Sequence, residues 1–83
     1  MLIMAQDRNS IINTDTIAYF QIDRIASIRA VFATPGLASF CMGTYNSPEY
    51  CQKVLRDLFR IYGDESTYAY TYVMPQKEEV SVI

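Results

Sequence analysis

The chain has 83 residues, nine Asp and Glu against seven Lys and Arg, and 51% hydrophobic residues. That length allows one domain, and that apolar share excludes a disordered chain. A net charge of −2 and a pI near 4.8 argue against duplex nucleic acid, which demands clustered cations.

Histidine is absent. This removes the triads that use an imidazole base and every His-ligated metal site. Two cysteines, Cys41 and Cys51, are too few for a structural zinc within one chain. The three glycines are too scattered for a phosphate-cradling loop. No cofactor or metal is therefore expected, and the chain reads as a non-enzyme. No apolar run approaches the ~20 residues of a membrane span. Met1 to Met4 meets Gln6-Asp7-Arg8 too early for a signal peptide. The expected location is the cytoplasm, where both cysteines act as buried thiols.

In chain order, Leu2 to Gln6 is a brief apolar run, and Asp7-Arg8-Asn9-Ser10 is a turn cluster. Ile11 and Ile12 form a short strand that Thr14-Asp15-Thr16 breaks. Ile17 to Asp23 is rich in β-branched and aromatic residues, which suit a pleated surface. Asp23-Arg24 makes a tight connection to Ile25–Ala33. Thr34-Pro35-Gly36 is a turn, since Pro presets φ and Gly supplies a positive φ. Leu37 to Tyr45 returns as the second arm of a central hairpin.

A helix follows. Ser47 caps it, Pro48 suits its first position, and Glu49 favours the positive end of its dipole. Cys51, Val54, Leu55, Leu58, Phe59 and Tyr62 make one stripe at period 3.6. Gly63 is the stop. Thr67 to Met74 then reads as a strand with Tyr68, Tyr70 and Tyr72 on one face. Residues 76–83 read as a loose C-terminal tail. The expected architecture is α+β within residues 1–75. It is an antiparallel β-meander of about five strands, with one amphipathic helix packed on it and a C-terminal strand rejoining the sheet.

Several of these segments follow a recurring pattern. They are Ile3-Met4-Ala5-Gln6-Asp7, Ile11-Ile12-Asn13 with Asp15, Gly43-Thr44-Tyr45 leading into a capped helix, and Tyr72-Val73-Met74-Pro75. In this the chain resembles a group of small proteins of Gram-positive bacteria and their phages. The resemblance spans residues 2–75. Arg8 and Thr14 depart from it, standing where the pattern has lysine and an aromatic residue. It implies a phage or prophage origin and supplies no catalytic residues.

One 15-residue helix is ~22 Å long and covers only part of such a sheet. The uncovered apolar pleat predicts a homo-oligomer, most simply a dimer. The expected function is an accessory protein acting by binding, as an oligomer that engages a host protein and so counters host defence. The alternative is an oligomeric sponge that sequesters a nucleotide-like signal at a subunit junction. Arg24 and Arg29 would hold its phosphate, and Tyr68, Tyr70 and Tyr72 would stack on its base or meet a partner.

Overall fold

The computed structural model describes residues 1–62 and 71–82. Its strands are β1 (Leu2–Met4), β2 (Ile11–Asn13), β3 (Ile17–Ile22), β4 (Ser27–Phe32), β5 (Phe40–Thr44) and β6 (Thr71–Val73). The helix α1 spans Pro48–Tyr62, and short 3-10 segments occupy Thr14–Thr16 and Lys77–Val82. The fold is α+β, as the patterning predicts.

The single meander is corrected to two three-stranded sheets, ordered β2-β1-β6 and β3-β4-β5. Strand β1 pairs antiparallel with β2 and parallel with β6, with Ile3 opposite both Ile12 and Tyr72. Hairpin logic expects neighbours in sequence to be neighbours in space, and here β6 instead joins β1. The second sheet is local and antiparallel throughout.

Turn chemistry explains that local sheet. The Asp23 carboxylate accepts the amides of Ile25 (3.1 Å) and Ser27 (3.0 Å). This holds Ala26 at φ 57°, a left-handed conformation that costs a β-carbon roughly 1–2 kcal/mol. Between β4 and β5, Gly36 has φ 86° and the Leu37 amide reaches Thr34 O, as a Pro-Gly turn requires. The second arm begins at Phe40 rather than Leu37.

The helix starts where its cap predicts, with the Tyr50 amide on Ser47 Oγ at 3.3 Å. Cys51, Val54 and Leu58 are buried. They meet Ile3 and Tyr72 from one sheet and Ile28, Ala30 and Met42 from the other. Phe59 and Tyr62, at the far end of the same stripe, stay 60% and 57% exposed. The last turns of α1 thus carry apolar side chains that the chain's own core does not take in.

Residues 77–82 are not a loose tail. They wind into 3-10 turns against α1, and Val80 is fully buried. The Gln76 amide donates to Glu79 Oε1 at 2.8 Å at the start of these turns.

One side chain joins the two sheets. Gln6 follows β1, and its own amide donates to Met42 O of β5 at 2.8 Å. Its side-chain carboxamide then copies a strand. Oε1 accepts the Thr44 amide at 2.9 Å, while Nε2 donates to Thr44 O at 3.0 Å and to Pro75 O at 3.3 Å. Gly43 leaves room for it, since a β-carbon there would stand 3.1 Å from both Gln6 Cβ and the Tyr45 hydroxyl oxygen. Arg8, at φ 64°, adds a bond from its guanidinium to Met74 O at 2.7 Å. The Tyr45 hydroxyl donates to Pro75 O at 2.8 Å. Gln6, Arg8, Gly43, Tyr45 and Pro75 thus gather at one structural joint.

Candidate binding surfaces

Two apolar surfaces stand out. The first is the outer face of the β2-β1-β6 sheet. Alternation turns Ile3, Ile12 and Tyr72 inward, so Leu2, Met4, Ile11 and Val73 share the opposite face. Register lines Ile11, Met4 and Val73 across all three strands. Leu2, Ile11 and Val73 are exposed and Met4 is half-buried. Asn13 and Thr71 complete the face.

The second is a groove of about 340 Å³ between the start of β3 and the last turns of α1. Ile17, Ala18, Tyr19 and Phe20 form one wall. Leu55, Leu58, Phe59 and Tyr62 form the other, and Met1, Ile3 and Thr14 close the end. Four consecutive residues of β3 line it. Among the described residues its lining side chains carry no carboxylate, amine, guanidinium or thiol. Such a lining can shield apolar surface of a partner.

The sequence-derived candidates are dispersed. Arg24 stands exposed in the turn between β3 and β4. Arg29, on β4 opposite Gln21, turns to the following loop, with Nε on Ser39 Oγ at 2.8 Å and a second bond to Ser39 O. Tyr72 lies in the core, its hydroxyl donating to Asp57 Oδ2 at 2.9 Å. Asp57 also takes Arg60 at 2.8 Å. Tyr68 and Tyr70 lie outside the described residues. Arg24, Arg29 and Tyr72 therefore do not converge. Sequence reasoning missed the outer-face residues Met4, Ile11 and Val73. Each sits in a run too short to show which face meets the core.

The two thiols differ, against the expectation that both are buried. Cys41 is exposed, because β5 turns it outward beside Arg29. Cys51 is buried and donates to Ala26 O at 3.1 Å. Burial first, then the Asp23 carboxylate, pushes the Cys51 thiol up from its ordinary value. Burial likewise holds the Tyr45 phenol well above its ordinary range. Both groups are proton-bound structural members at pH 7. Among the described residues no three His, Cys, Asp or Glu gather to hold a metal. No described helix is long and apolar enough to cross a membrane.

No known family, curated protein or solved structure matches this chain.

Proposed function

We propose that the chain is a small non-enzymatic accessory protein that acts by binding, as an oligomer, and that its target is another protein. The observation that carries this reading is the bare outer face of β2-β1-β6, where Ile11, Met4 and Val73 line up across the sheet. Contiguous exposed apolar surface on a small domain marks an interaction site. The apolar side chains described along the groove suit contact with a partner. The likeness to small phage proteins makes a bacterial host protein the target class.

The test is comparative capture from a bacterial lysate. Wild-type protein and an Ile11→Lys/Val73→Lys double variant are immobilised side by side. Both positions are exposed, so the variant keeps its circular dichroism and thermal midpoint. A stoichiometric protein partner held by the wild type and lost at least tenfold by the variant supports the reading. Equal capture by both, or a wild-type protein that purifies with material absorbing near 260 nm and bound to no protein, refutes it. The second outcome would favour the nucleotide sponge, in which a ligand raises the midpoint by mass action.

A further inference from the structure

We propose that two copies of this chain pair through the free edges of β3, forming one antiparallel six-stranded sheet across a two-fold axis at Gln21. This deepens the oligomeric reading above and rests on it. Among the described residues no strand pairs with the outer edge of β3. The direction of its main-chain groups follows from register. The Asp23 amide donates to Ser27 O at 3.0 Å, and Gln21 stands opposite Arg29 with Tyr19 opposite Val31. Antiparallel bonding alternates, so Asp23, Gln21 and Tyr19 address β4. The amides and carbonyls of Phe20 and Ile22 address the outside.

That edge is self-complementary. Two copies laid antiparallel place Phe20 of each opposite Ile22 of the other, and four main-chain hydrogen bonds close around a Gln21–Gln21 pair. The contact is isologous, as a closed dimer requires. Strand edges are ordinarily guarded by Lys, other charges, Pro or a β-bulge. Ile17–Ile22 reads Ile-Ala-Tyr-Phe-Gln-Ile, with no charge and no proline, and its irregularity against β4, between Ile17 and Tyr19, lies outside the Phe20–Ile22 segment that would pair. The two-fold axis also sets both helices on one side of the joined sheet. There Phe59 and Tyr62 of each copy overhang the groove at its edge.

The area suffices. Tyr19, Phe59 and Tyr62 are each more than half exposed, which is roughly 350 Å² at about 200 Å² per aromatic side chain. A six-residue edge is about 20 Å long and, at ~10 Å depth, adds about 200 Å². With the half-buried Ile17 and Leu55 the total reaches about 600 Å² per copy, the lower limit for a specific interface.

The experiment is native mass spectrometry and light scattering at about 50 μM, where a micromolar dimer is filled. The wild type should run at twice the chain mass of 9.5 kDa. Gln21→Lys places two cations side by side on the axis at an exposed position, and should weaken the dimer at least tenfold with the fold intact by circular dichroism. Mixing Gln21→Lys with Gln21→Glu should restore a heterodimer. A wild-type dimer indifferent to Gln21→Lys overturns edge pairing and leaves the oligomeric reading standing. A monomeric wild type overturns both.

Discussion

Replacing Gln6 with Ala removes three side-chain hydrogen bonds and leaves Thr44 N–H, Thr44 O and Pro75 O without that partner. Thr44 is half-buried and Pro75 buried at the joint, where water replaces the lost partner poorly. At about 1 kcal/mol net per bond, the loss is about 3 kcal/mol. A domain of this size loses roughly 4–8 °C per kcal/mol, so the midpoint should fall by roughly 12–24 °C in a calorimetric melt. Gln6→Glu is the sharper probe. One carboxylate oxygen keeps the Thr44 amide, but the other faces two carbonyls and cannot donate. The ionised form is disfavoured, which raises its folded pKa above the unfolded ~4.3. Stability is then fully present below that unfolded value and is lost as pH rises through the folded one. Urea melts of Gln6→Glu should therefore show greater stability at pH 4 than at pH 7 relative to wild type. A Gln6→Ala protein within about 1 kcal/mol of wild type would refute the claim that this carboxamide binds the two sheets together.

The buried Cys51 and Tyr45 give an alkaline limit. Their folded pKa values are raised, so the unfolded chain deprotonates first, and stability should fall once pH passes the ordinary thiol value of 9.0. Urea midpoints from pH 7 to 10.5 check this, and a flat profile contradicts it. Exposed Cys41 should be alkylated in the folded protein, while buried Cys51 reacts only on unfolding; mass-resolved labelling reads both. Val80→Ala should cost about 1.5 kcal/mol, since two buried methyl-sized groups are lost. An unchanged denaturation curve would mean that residues 77–82 are not docked on the core.

The parts of this fold that were legible are those written in local chemistry. Ser47-Pro48-Glu49 announces the helix, Pro35-Gly36 the turn, and Asp23 the other hairpin, because each acts on backbone groups within four residues. Partner choice between distant strands carries no such mark. Leu2–Met4 is a short apolar run and Thr71–Val73 carries one tyrosine between Thr and Val, and neither says which strand lies beside which, or in which direction. The stripe on α1 was read correctly as apolar. Yet period alone does not show that Phe59 and Tyr62 run past the core. Likewise Cys41 and Met42 are neighbours in one apolar run, and only the facing of β5 sends one out and the other in. The tyrosine alternation is right in kind for Tyr72, whose ring is interior and whose hydroxyl is spent on Asp57. Gln6 carries no mark of its task in the sequence; that task depends on Thr44 and Pro75, which no spacing rule connects to it.

The parallel pairing of β1 with β6 sets an order of assembly. Strands β3, β4 and β5 close by short loops, and α1 follows directly, so this half has little loop entropy to overcome and can form early. Strand β1 must wait for Thr71–Val73 to be synthesised before its second neighbour exists. Until then Ile28, Met42 and Leu58 lack the cover of Tyr72, Met74 and Val80. A nascent chain stalled before Thr71 would present that greasy interior to chaperones, and a ribosome-bound fragment would be a sticky, half-roofed body.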